Sequence, residues 1–163
     1  MSGLLSAIEE YRAEELTHLP DAQAEDDFAE IQRGSEILEA ERLRRLADLD
    51  RRGGYRRDGY LSAASWLASS FKVAWGAARE QVRVARALRE MPRTRAALDS
   101  GDLSMSAVRV LVAARDSNPS AFERSEAELV EAARIHSMQD LQRVAAYWRQ
   151  AAERERHWKV TIS

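Results

Sequence analysis

Apolar residues recur along this chain at spacings of three and four, the period of an amphipathic helix. Leu4, Leu5, Ile8, Tyr11, Leu16 and Leu19 predict a first short helix, which Pro20 closes. After an acidic approach from Asp21 to Asp27, Phe28, Ile31, Leu38, Leu46 and Leu49 ride a second, long helix whose stripe Ile37 and Leu43 widen. Arg51-Arg52-Gly53-Gly54 ends it, because glycine supplies a left-handed cap and arginine suits the negative helix end. Two readings of the long helix stay open. It is a packing helix of the core, or a dimerising coiled coil of irregular repeat with Ile31, Leu38 and Leu46 at the contact.

Tyr55 to Gly59 predicts a short turn, and Tyr60 to Phe71 a helix capped near Ser62. Lys72-Val73-Ala74-Trp75-Gly76 is a break of turn length before a strongly amphipathic helix from Ala77 to Met91. Pro92 stops that helix, since a residue before proline is pushed out of helical geometry. Thr94 or Arg95 to Leu98 makes another helical turn, ended by Ser100-Gly101, and Ser104 caps a helix carrying Met105, Val108, Leu111 and Val112. Asp116-Ser117-Asn118-Pro119 reads as a loop, Ala121 to Ile135 as a helix, and Leu141 to about Trp158 as the last helix, started by the capping-box spacing of Ser137 to Asp140. Val160-Thr161-Ile162 reads as the first residues of a strand with nothing left to pair with, an end that suggests a longer polypeptide. The expected fold is all-α, of about seven or eight helices: an acidic arm over 1–52, then a helical domain over 53–163 that embeds a helix-turn-helix-like segment at 61–91.

Composition narrows the class. With 163 residues, 45% hydrophobic and 32% charged, the chain suits one ordinary domain and is neither a disordered tail nor a membrane protein. No apolar run approaches the ~20 residues of a membrane span, and no basic segment with an apolar stretch opens the chain, so a cytoplasmic protein is the expectation. Zero cysteines exclude a disulfide framework, a zinc-thiolate site and a cysteine nucleophile. The net charge of −2 hides a polarised distribution. Residues 1–50 carry 14 acids against 5 bases, a net of −9, whereas residues 51–115 carry 13 bases against 5 acids, a net of +8. That segregation points to a polyanion-facing centre, or to helices that pair opposite charges within the fold.

Two helices about four residues apart, the second striped with arginine, have the layout of a helix-turn-helix. On a wheel of about 100° per residue, Ala78, Val82, Val84, Ala85, Leu88 and Met91 gather on one side, and Arg79, Arg83 and Arg86 on the other, with Glu90 continuing the row. Three guanidiniums on one outward face are what a helix needs to reach phosphates or guanine edges of duplex DNA. Gln81 would read adenine if it points outward, and Arg56, Arg57, Lys72, Arg93 and Arg95 are available for backbone contacts. Trp75, in the turn, either packs on the preceding helix or touches DNA.

Catalytic chemistry finds no matching pattern. The three histidines, His18, His136 and His157, lack ligand spacing, Asp26-Asp27-Glu30 reads as an acidic helix start rather than a metal cluster, and no phosphate loop or nucleophile elbow occurs. No cofactor is expected, and this chain is expected not to be an enzyme.

Asp58-Gly59-Tyr60-Leu61-Ser62-Ala63-Ala64-Ser65-Trp66-Leu67-Ala68, Ala78-Arg79 and Ala85-Arg86-Ala87-Leu88 form an ordered set with three later segments: Pro92-Arg93-Thr94-Arg95-Ala96-Ala97-Leu98, Gly101-Asp102-Leu103-Ser104 and Leu141 to Trp148. The set resembles the domain of unknown function two-two-two family, also called the thirteen-E-twelve repeat family, of high-GC bacteria, over roughly residues 36 to 163. The resemblance implies a domain ahead of an HNH endonuclease module in a DNA-processing protein. A second similarity, over Ala64 to Val112, is to the DNA-binding region of ParB-type partition proteins, and implies Lys72 to Arg83 as the groove-facing segment. Lys72 stands where that turn often has glycine, and Ala74 where a Ser or Thr cap is usual, a loss of about 1 kcal/mol of helix stability. The first expectation is therefore a double-stranded-DNA-binding domain of a larger nuclease-type protein. The rival is a helical dimerisation or regulatory module without DNA contact.

Overall fold

A computed structural model describes residues 2–162. Among them are eight α-helices and no strand: α1 (Gly3–Arg12), α2 (Asp21–Arg52), α3 (Ala63–Phe71), α4 (Trp75–Leu88), α5 (Pro92–Asp99), α6 (Met105–Ser117), α7 (Pro119–Ile135) and α8 (Met138–Ile162). A 3-10 turn at Gly54–Asp58 joins α2 to α3. The chain is all-α, and none of its helices is long and apolar enough to cross a membrane.

The chain divides into two compact units, residues 1–34 and 35–163. In the first, the Ser2 hydroxyl caps α1, which ends at Arg12, well short of Leu16 and Leu19. Tyr11 faces Glu30, and partial burial together with that carboxylate pushes the phenol above its ordinary pKa. No described residue of this unit is buried, and Leu4, Leu5, Ile8, Phe28 and Ile31 all stay exposed.

The second unit carries the core. The division falls at residue 34 rather than near 52 because Ala40, Leu43, Leu46 and Ala47 of α2 are buried with Leu67, Val82, Leu88, Leu111, Val112 and Phe122. Leu46 is thus a core residue, only 4% exposed, and offers no surface to a partner; Ile31 and Leu38 remain exposed. Phe122 and Trp148 pack edge to face at 6.1 Å, tying α7 to α8.

Helix starts follow local chemistry. Ser62 and Ser65 form a reciprocal capping box at α3, and Ser104 accepts from Ala107 N–H at α6. Two helices take a cap from a distance, α6 in addition to Ser104. Buried Glu126 accepts from Thr94 N–H and hydroxyl at 2.9 Å, serving α5, and Glu36 accepts from Met105 N–H at 2.9 Å, serving α6.

Several expected boundaries shift for the same kind of reason. The loop at Asp116–Pro119 shrinks to Asn118, which ends α6 and caps α7, because Pro119 is well placed at a first helical position. α4 starts at Trp75 and ends at Leu88, three residues before Met91, whose backbone is non-helical (φ −129°, ψ 68°) ahead of Pro92. Val160 and Thr161 belong to α8, not to a strand. β-branched residues cost a helix only a few tenths of a kcal/mol each, and the Thr161 hydroxyl returns a 3.0 Å hydrogen bond to the His157 carbonyl.

Candidate nucleic-acid interface

α3 and α4 are joined by a three-residue turn, Lys72 to Ala74. Lys72 occupies the left-handed region (φ 55°), the conformation that favours glycine, and its N–H and that of Val73 both close on the Ala68 carbonyl. Ala74 provides no side-chain cap, so the first N–H groups of α4 point outward with the positive end of the helix dipole behind them. The inner face of α4 is as its periodicity predicts: Ala78, Val82, Val84, Ala85 and Leu88, with Met91 beyond the helix, are all buried.

The outer face is not uniform. Arg79, Arg83 and Arg86 are all exposed, but their partners differ. Arg86 makes two 2.7 Å hydrogen bonds to Asp50 of α2, a carboxylate whose side chain is only 11% exposed. Arg83 grips Glu80 at 2.9 and 2.7 Å and also binds Asp116 at the end of α6. Hydrogen bonding to Arg83 holds the Glu80 carboxyl below its usual range, and Glu80 and Asp50 raise the guanidiniums of Arg83 and Arg86 respectively. Two of the three arginines are therefore occupied by carboxylates, and each is bonded across helices, Arg83 to α6 and Arg86 to α2. Arg79 has no such partner among the described residues. Its guanidinium lies over the exposed Trp75 ring, 5.9 Å from the centroid.

An open groove of about 1240 Å³ runs along this face, and Trp75, Arg79, Arg83 and Arg86 line it. Its walls include Asp50 and Asp116, and the five arginines on its lining are nearly balanced by four carboxylates. The positive character thus concentrates at the amino-terminal end of α4, where Lys72, Trp75, Arg79 and the uncapped N–H groups meet.

Other expected contacts divide similarly. Arg56 and Arg57 are exposed on the 3-10 turn, Arg56 over the Tyr55 ring at 5.4 Å. Gln81 points toward α2, where its carbonyl accepts from Arg42 at 2.7 Å, rather than outward to a base. Arg93 is exposed, whereas Arg95 is largely shielded and bonded to Asp99 at 3.0 Å. Pattern reading missed Arg89, the C-terminal cap of α4, which lines the groove from outside the i, i+4, i+7 row. Among the described residues no group of three or more His, Asp or Glu is placed to hold a metal ion.

Neither a curated protein nor a solved structure matches the chain. The model of one family, described as Domain of unknown function (DUF222), matches residues 22–155, most of the chain, and the protein belongs to that family.

Proposed function

We propose that residues 35–163 form a domain that binds double-stranded DNA without chemistry of its own, through the amino-terminal end of α4. The observation that carries this reading is Arg79, stacked on exposed Trp75 and without a carboxylate partner, beside Lys72 and an uncapped helix start. A phosphate placed there meets two cations and a row of N–H donors, and the indole offers a flat apolar wall to sugar or base. Arg56 and Arg57 extend the same charge. Arg83 and Arg86 are secondary contacts, since carboxylates already neutralise each of them. The parent polypeptide, on the resemblance set out above, carries an HNH endonuclease module that this domain would deliver to DNA.

Fluorescence anisotropy with a labelled duplex tests the reading. Arg79→Ala and Lys72→Ala each weaken binding severalfold without lowering the melting temperature, whereas unchanged affinity in both variants would overturn it.

A second reading has its own observation. The unit at 1–34 buries no described residue and leaves Leu5, Ile8, Phe28 and Ile31 exposed. Segments below about 40 residues rarely hold a fold without added support, so a homodimer formed through this arm is the competing use of the chain. Light scattering that shows a dimer lost on Phe28→Glu, with no duplex binding at physiological salt, would favour it.

A further inference from the structure

A second basic pocket lies away from the amino-terminal end of α4. It is bounded by the last turns of α2, the carboxy-terminal end of α4 and the middle of α5. Arg44, Arg45, Arg51, Arg89 and Arg95 line it with a single acid, Asp48, around about 340 Å³. Five guanidiniums repel one another, and carboxylates, solvent or bound anions offset that repulsion. The carboxylates are too few. Glu41 bonds Arg44 at 2.6 Å and Arg45 at 2.8 Å, which holds the Glu41 carboxyl down to about 2. Asp48 bonds Arg51 at 2.7 Å, and Asp99 bonds Arg95 at 3.0 Å. Arg89 has no carboxylate partner among the described residues. Arg95 adds a second unanswered donor: its Nη2 is shielded from solvent and has no acceptor.

We infer that this pocket is a binding site for a phosphoryl anion bearing at least two negative charges. Guanidinium groups recognise such anions in preference to chloride because their paired N–H donors match two oxygens at once. The volume admits a pyrophosphate with several waters, each of which takes about 30 Å³. The same chemistry is offered by a nucleic-acid backbone and by a free di- or triphosphate. The site does not depend on the reading of Arg79 and Lys72, neither of which lines it.

Calorimetric titration of the 163-residue chain with pyrophosphate, at ionic strength held constant with chloride, tests the site. Saturable binding is expected, weakened at least tenfold in Arg89→Ala and in Arg45→Ala, both exposed positions. Glu41→Gln, which releases Arg44 and Arg45, is expected to tighten it. No saturable binding in the folded wild-type chain, or binding indifferent to all three substitutions, would overturn the inference. Competition with a labelled duplex names the source. Displacement of the duplex by pyrophosphate, with weaker duplex binding in Arg45→Ala, supports a backbone phosphate; pyrophosphate binding that leaves duplex affinity intact supports a free phosphate compound. Arg79→Ala leaves pyrophosphate binding unchanged, so failure of the α4 reading and failure of this site are told apart.

Discussion

The two ends of the outer face of α4 carry the same residue type in different electrostatic states. At the amino-terminal end Arg79 rests on an aromatic ring, with Lys72 and unbonded N–H groups beside it. One to two turns later Arg83 and Arg86 are clamped by Glu80, Asp116 and Asp50, two of them supplied by other helices. A guanidinium already neutralised by a carboxylate has fewer free donors and gains less from a phosphate, so an identical stripe of arginines yields one open contact and two that hold the fold together. Exposure does not separate these roles. Partner identity does.

The contrast can be broken at either end. Arg79→Glu, a change of two charges at the open end, is expected to weaken duplex binding roughly 10- to 30-fold, about 1.4–2 kcal/mol, with the melting temperature nearly unchanged. Arg83→Gln should do the reverse, lowering the melting temperature because Glu80 and Asp116 are left facing each other, while affinity changes little; calorimetry and anisotropy on the same samples separate the two. Opening the closed end is a smaller effect. Asp50→Asn frees the Arg86 guanidinium, raises duplex affinity about threefold, and steepens the logarithmic salt slope by about 1, whereas Asp116→Asn, which leaves Arg83 held by Glu80, has a smaller effect. Lys72→Gly isolates charge from backbone: relief of the left-handed lysine adds about 0.5–1 kcal/mol to stability, whereas loss of the cation weakens the duplex complex about threefold. The smallest effect is on pH. Hydrogen bonding to Arg83 depresses Glu80, so its contribution to stability is fully present above its unfolded value near 4.5 and is lost as pH falls through the lower folded value. Thermal melts over that acid range should show a shallower decline in Glu80→Gln.

How much of this was legible in the pattern of residues follows from the range of the interactions. The burial of Ala78, Val82, Val84, Ala85 and Leu88 and the exposure of the three arginines are set by a 3.6-residue period, and both are met. So are the Ser62 and Ser104 caps, which rest on contacts three residues apart. The polarised charge distribution pointed to two outcomes, and Arg86 with Asp50, 36 residues apart, realises the pairing of opposite charges within the fold. That pairing depends on which helices become neighbours, and no local spacing encodes it. The distant caps from Glu126 and Glu36 and the basic pocket around Arg89 escaped for the same reason, while the burial of Leu46 decides between the two readings of the long helix. The misplaced strand at Val160 has another cause: three β-branched residues were weighed by propensity, while the continuing helix carries them at little cost.

The most direct measurement is the salt dependence of duplex binding by the wild-type chain. Four open cations, Lys72, Arg79, Arg56 and Arg57, predict that log affinity falls with log salt at a slope of about −3 to −4, and that Arg79→Ala removes about one unit of it. Absence of saturable duplex binding at about 50 mM salt, or a slope that Arg79→Ala leaves unchanged, would contradict the assignment of DNA contact to this end of α4.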